Sequence, residues 1–242
     1  MERHRNNLGL IRLVLASGVI IGHAPEMTDG NALREPLWPL IGTMTLGGFA
    51  VHGFFLISGY LICQSMSATK RVGRYLLKRV VRIVPAFVVA YLISAFVIAP
   101  ALGADIWPHL KAIVLHLAFL REPPPLLKGI EPFYGHINGA LWTISYEFRC
   151  YLLVALLWMA GAIQRRATIL ALTAVTVLLS IAISYPGFDA LLNIFRLGRL
   201  SDLVIGDPGH TIRLTSLFLA GMSVYLYRAE VLPRLTGPIA GC

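Results

Sequence analysis

Apolar runs of about twenty residues, nearly free of charge and separated by short basic clusters, recur along the whole chain. No other feature constrains the fold as strongly. A helix rises about 1.5 Å per residue, so each such run matches a hydrocarbon core about 30 Å thick. The runs cover about residues 8–24, 40–66, 83–102, 139–162, 167–185 and 212–227. Two weaker stretches, about 106–120 and 189–205, hold Lys111, or Arg196, Arg199 and Asp202, and read as short, re-entrant or interfacial. In lipid every backbone polar group must be satisfied within its own segment, so the pattern predicts helices. The expected fold is all-α, a polytopic transmembrane helix bundle of about 6–8 spans. Composition agrees. Of 242 residues, 57% are hydrophobic and 14% charged, against about 25% charged in soluble domains.

The formal net charge of +9 is not a nucleic-acid footprint, because no soluble module carries it. The positive residues sit between the apolar runs, where they set topology and meet anionic lipid. Arg3 and Arg5 precede the first run, and Lys70, Arg71, Arg74, Lys78, Arg79 and Arg82 fill the connection between the second and third. Both clusters are expected to be cytoplasmic, which puts the N-terminus inside and residues 26–35 outside. Arg165 and Arg166 agree with this only if 106–120 does not cross fully. The first run reads as a span rather than a cleaved leader, since Arg12 interrupts it and further spans follow. Residues 121–129 are too rich in proline and glycine for a regular helix. The sequence shows no internal repeat and no linker, so residues 1–242 read as one domain. Cys63, Cys150 and Cys242 have no ligand spacing, and no metal is expected.

Four places hold polar groups inside apolar runs or at their edges, where such groups are costly or suited to ligands and are functional candidates. Arg12 and His23 lie eleven residues apart. On a helix this places them within about 20° of each other and about 16 Å apart along the axis. One helix face would then carry a fixed cation and a titratable imidazole. In the second run, His52 needs a partner, and Ser58 with Gly59 permits close helix packing or local unwinding. In the third place, Arg79 and Arg82 are three apart and share a helix face, which suits bidentate recognition of phosphate. Pro85 is expected in the first turns of the following span. In the fourth, Trp142 and Tyr146 fit an interfacial aromatic belt, and Glu147 needs a partner from another helix. No phosphate-binding loop, nucleophile elbow or zinc-protease motif is present.

Taken in order, these places resemble the acyltransferase 3 family of bacterial membrane proteins, which O-acylate surface glycans. The first match is Arg12, ten residues, then His23. The second is Gly48-Phe-Ala-Val-His-Gly-Phe-Phe-Leu-Ile-Ser-Gly-Tyr-Leu-Ile62, against G-x-x-V-D-x-F-F-V-x-S-G-F-L-I. The third is Arg79-Val-Val-Arg-Ile-Val-Pro85, against R-x-x-R-I-x-P. The fourth is Leu141-Trp-Thr-Ile-Ser-Tyr-Glu147, against L-W-S-L-x-V-E. His52 stands where the family pattern has Asp. The family has about ten spans, so the chain reads as short at its C-terminus.

The resemblance implies transfer of an acyl group, commonly acetyl, from cytoplasmic acyl-CoA to a hydroxyl of a polysaccharide or glycolipid, at the bacterial inner (plasma) membrane. It makes His23 the base or acyl carrier, and Arg12 the group that holds the donor or steadies the oxyanion. Arg79 and Arg82 become the cations for the phosphates of coenzyme A, and Glu147 orients one of the cations. Ser58, Gly59, His52 and Trp142 are structural or line the substrate. Two other readings use the same residues. One is a transporter of lipid-linked sugar, which would move substrate without acyl-CoA. The other is an inactive short form of the enzyme.

Overall fold

The computed structural model describes residues 7–29, 31–126, 137–185, 188 and 204–230. Every regular element among them is helical, as the apolar periodicity requires. The helices used below are α1 (Leu8–Asp29), α2 (Leu46–Thr69), α3 (Val72–Ile93), α4 (Leu110–Ala118), α5 (Trp142–Met159), α6 (Arg166–Ala182) and α7 (Pro208–Leu226). Four helical stretches are long and apolar enough to cross a membrane: Leu8–Pro25, Leu46–Thr69, Val72–Ala101 and Gly139–Met159. Arg166–Ala182 is apolar but shorter. Their outward faces stay apolar, with Ile20 73% exposed, as lipid contact demands.

The described chain forms two compact units. One joins the residues up to Phe54 with Val84–Ser145, and the other joins Phe55–Ile83 with the residues from Tyr146 onward. In the first unit, α1 runs antiparallel to the start of α2 along a seam of small residues. A methyl group on Gly22 would come within 2.6 Å of the Gly47 backbone nitrogen. Gly18 faces Leu46 and Ala50, and Leu15 fills the space above Gly53. Small residues let the two backbones approach, and dispersion between them replaces the hydrophobic drive that lipid cannot supply.

The reversal between α1 and α2 is organised by Glu35, which is fully buried. Its carboxylate accepts N–H bonds from Trp38, which opens the one-turn helix Trp38–Ile41, and from Leu46, the first residue of α2, at 2.8 Å. Those N–H groups have no partner within their helices, so one side chain caps two helix starts. Burial alone would raise the carboxyl's pKa. The N–H donors of Leu46, Leu37 and Trp38 outweigh it and hold the group below its ordinary value.

The same unit buries Phe87, Tyr91, Ala95, Ala99, Ile113, Leu126 and Leu141 together. Tyr91 donates to the Ile113 carbonyl at 2.7 Å, and Asn138 donates to Ser94 Oγ at 3.1 Å, where a π-helical turn (Ser94–Ile98) prolongs α3. In the second unit, α7 crosses α2 at very short range. A methyl on Gly59 would fall 1.9 Å from the Phe218 carbonyl oxygen, and one on Gly221 would fall 1.9 Å from that of Leu56. Thr173 of α6 and Ser223 of α7 share a buried hydrogen bond at 2.9 Å.

Two expectations change. The basic segment 70–82 is not a connection: only Lys70 and Arg71 lie between helices, and α3 begins at Val72. Pro85 therefore sits mid-helix rather than in a first turn, and α3 forgoes the bond that its N–H would have made to Val81. Tyr146 is buried against protein, and its hydroxyl accepts the Asp207 N–H at 3.0 Å. The weak stretch 106–120 forms a nine-residue helix, α4, behind the 3-10 turn Trp107–His109. At about 14 Å that helix is too short to span, which is what agreement among the basic clusters asked of it. Residues 189–203 and Cys242 lie outside the described residues.

Candidate functional site

Glu147 lies in the second turn of α5, inside the second unit. Its Oε1 accepts a hydrogen bond from Ser58 Oγ of α2 at 3.3 Å and another from the Tyr151 hydroxyl one turn further along α5. A partner from another helix was expected, and Ser58 is that partner. Both donors are neutral hydroxyls, whereas the sequence reading gave Glu147 a cation to orient. Two donors on one oxygen fix the carboxylate plane. Ser58 is buried, so it does more than allow packing, while Gly59 beside it provides the backbone clearance for α7.

Arg79 enters the same polar cluster from α3. Its side chain is only 8% exposed. It donates to Ser65 Oγ at 2.6 Å, and its guanidinium lies 5.7 Å from the Tyr75 ring centroid and 5.8 Å from that of Tyr151. Its Nε is buried without a hydrogen-bond partner. Tyr75 in turn donates to the Tyr151 carbonyl at 3.2 Å. A buried cation must be compensated, and here two aromatic faces and one hydroxyl compensate it. Arg82, three residues later, is exposed. The two arginines share a helix yet occupy different environments. Arg79 is sealed by tyrosines, whereas Arg82 is exposed.

The other candidates belong to the first unit. Arg12 and His23 lie on the uninterrupted helix α1, so the one-face geometry expected from their spacing holds. Arg12 is half-buried, with its guanidinium 6.0 Å from the Phe54 ring centroid. His23 is exposed, and its Nε2 stands 3.6 Å from where a methyl on Gly47 would lie, so the glycine seam gives the imidazole its room. His52 is half-buried on α2, and Trp142 is half-buried at the first turn of α5.

Sequence reasoning missed Tyr75, Tyr151 and Ser65. Two of them carried a readable signal. Tyr75 precedes Arg79 by four residues and Tyr151 follows Glu147 by four, the spacing at which helix side chains meet. Arg149, two residues from Glu147 and so not facing it on the helix, donates to the Ile205 carbonyl at 2.6 Å and stacks 4.9 Å from the Tyr146 ring centroid, pinning the turn before α7. Gly206 in that turn has φ +75°, and a methyl there would meet the Tyr146 hydroxyl at 2.7 Å. Among the described residues, no group of three His, Cys, Asp or Glu could hold a metal ion.

The acyltransferase domain known as acyltransferase 3 matches residues 5–242. The chain belongs to the acyltransferase 3 family. It is 30% identical over 155 residues, 62% of its length, to a protein named O-acetyl transferase from Shigella phage Sf6. It is 28% identical over 170 residues, 64% of its length, to nodulation protein 10 of Rhizobium leguminosarum bv. viciae. It is 30% identical over 118 residues, 47% of its length, to the acyltransferase MdmB of Streptomyces mycarofaciens. The matched stretches cover 45%, 44% and 29% of those relatives, so the chain spans less than half their length. No solved structure matches it. The four motif regions of this acyltransferase 3 chain fall on α1, α2, α3 and the start of α5.

Proposed function

We propose that the chain, as one acyltransferase 3 domain, transfers an acyl group from acyl-CoA to a hydroxyl of a cell-surface polysaccharide, exopolysaccharide or glycolipid. Acetyl is the favoured acyl group and acetyl-CoA the favoured donor. The observation that carries this reading is the family match over residues 5–242, joined to relatives named for O-acetyl and acyl transfer. The placement is the bacterial inner membrane with the N-terminus cytoplasmic, which the basic residues flanking α1 and α3 support.

The chemistry is thioester-to-ester exchange. The acceptor oxygen attacks the thioester carbonyl, its proton goes to His23, the carbon–sulfur bond breaks, and the coenzyme A thiolate leaves and takes up a proton. In the alternative order, the His23 imidazole first takes the acyl group from sulfur and then yields it to the hydroxyl. Either route needs an imidazole that a substrate can reach, and exposed His23 meets that need. Arg12, about 16 Å along the same helix face, holds a remote part of the donor. Arg82, exposed at the basic end of α3, takes a coenzyme A phosphate. Arg79 serves it indirectly by fixing that end of the helix against Tyr75 and Tyr151. Glu147, held by Ser58 and Tyr151, shapes the polar surface from α2 and α5.

The test is acyl transfer in inverted membrane vesicles that contain this chain, supplied with labelled acetyl-CoA and the host's surface glycans. Label is expected in glycan only where the chain is present. Equal label in vesicles lacking the chain would overturn the reading.

A further inference from the structure

We infer that the exposed N-terminal part of α3 binds an anionic phospholipid, with the headgroup phosphate on Arg71, Arg74 and Lys78 and an acyl chain over Leu77 and Val81. The helical stretch Val72–Ala101 is 30 residues long, about 45 Å, against the roughly 30 Å that a hydrocarbon core requires. Residues 83–104 carry no charged side chain, and 70–82 carry six cations. The surplus length therefore lies at the basic end, in the headgroup layer.

The arrangement around the axis then selects the ligand. At 100° per residue, Arg71, Arg74 and Lys78 fall within a sector of about 60°. Arg71 counts with the helix because its carbonyl accepts the Tyr75 N–H at 3.0 Å. All three cations are exposed. Exposed Arg82 stands at the edge of this sector, and beyond it lie Tyr75 and Arg79, which are buried. The sector on the other side holds Val81 and Leu77, 64% and 62% exposed. A cation stripe beside an exposed apolar ridge fits a molecule with a phosphate and a hydrocarbon chain on the same side. A free nucleotide would satisfy the cations and make no contact with the ridge. Lipid is favoured over the nucleotide of the acyl donor for that reason, and the inference stands whether or not the chain transfers acyl groups.

The experiment is native mass spectrometry of the intact chain in detergent, with phosphatidylglycerol or phosphatidylcholine added. The expected result is retention of phosphatidylglycerol over phosphatidylcholine. Retention should fall at least about tenfold in the triple variant Arg71→Gln, Arg74→Gln, Lys78→Gln, and stay unchanged in Lys111→Gln. In the unaltered chain, retention should fall as salt rises and resist added coenzyme A. If the triple variant does not fold, Lys78→Gln and the salt series decide. Equal retention of both lipids, retention indifferent to the cations and salt, or displacement by coenzyme A would each overturn the proposal.

Discussion

The two compact units treat their polar residues in opposite ways. In the first, the residues with the strongest claim to chemistry are open: His23 is exposed and Arg12 rests against one aromatic ring. In the second, Glu147, Ser58, Arg79, Tyr75 and Tyr151 satisfy one another, and Arg79 is almost completely enclosed. A polar group in an apolar helix can be enclosed by the protein or stay exposed, and this chain does each in a different place. Enclosure marks a group that holds the fold, and exposure marks one that a substrate can use. Substitutions in the enclosed cluster of the second unit should therefore act on stability, and those at exposed His23 and Arg82 on turnover and binding.

The largest stability effect is expected at the α2–α7 crossing. Gly59→Ala or Gly221→Ala puts a methyl against a backbone carbonyl that cannot move aside, and should cost about 3 kcal/mol or more. Gly73→Ala, which meets nothing, is the control. Thermal melting in detergent separates them, and a Gly59→Ala chain as stable as Gly73→Ala would remove the crossing from the account.

Next comes Arg79. Replacing it with leucine strips the cation from between Tyr75 and Tyr151 and should cost about 2 kcal/mol, with Lys no full substitute for the planar guanidinium. Arg82→Gln should change stability by less than about 0.5 kcal/mol and instead raise the KM for acyl-CoA. Equal melting losses for the two would break the contrast between enclosed and open arginines. Ser58→Ala and Tyr151→Phe each remove one donor from Glu147 Oε1 and should cost about 1 kcal/mol apiece. Because both donors share that oxygen, the double variant should depart from the sum of the singles.

The smallest effect concerns Glu35 and is confined to the reversal between α1 and α2. Its carboxyl is held below its ordinary value of 4.5, so its contribution is present above that pH and is lost as pH falls through the folded value. Glu35→Gln should speed proteolysis around residues 30–45 at neutral pH. That difference should shrink once the pH is well below 4.5. A difference that grows on acidification would reverse the sign of the argument.

The helices were legible because lipid leaves the backbone few alternatives, and a charge-free run of about twenty residues declares itself. Motif order was legible too, since Arg12, His23, Ser58, Arg79 and Glu147 stand at fixed places within those runs. What the sequence hid is how side chains meet across helices. The Gly206–Asp207 turn that covers Tyr146 has no signal near that residue in the sequence. Arg79 and Arg82 look equivalent until Tyr151 of another helix encloses only the first. Pro85 misplaced the start of α3, because the basic residues before it continue the helix although they are charged. Glu35 had no motif, and its role depends on Leu46, eleven residues away.

The central claim is that exposed His23 performs the acyl transfer. The direct measurement compares acetyl transfer from labelled acetyl-CoA to glycan by the unaltered chain and by His23→Ala, at equal amounts of folded protein in the membrane. The account predicts a loss of about 100-fold or more with the melting temperature unchanged. Transfer at the unaltered rate in His23→Ala would contradict it.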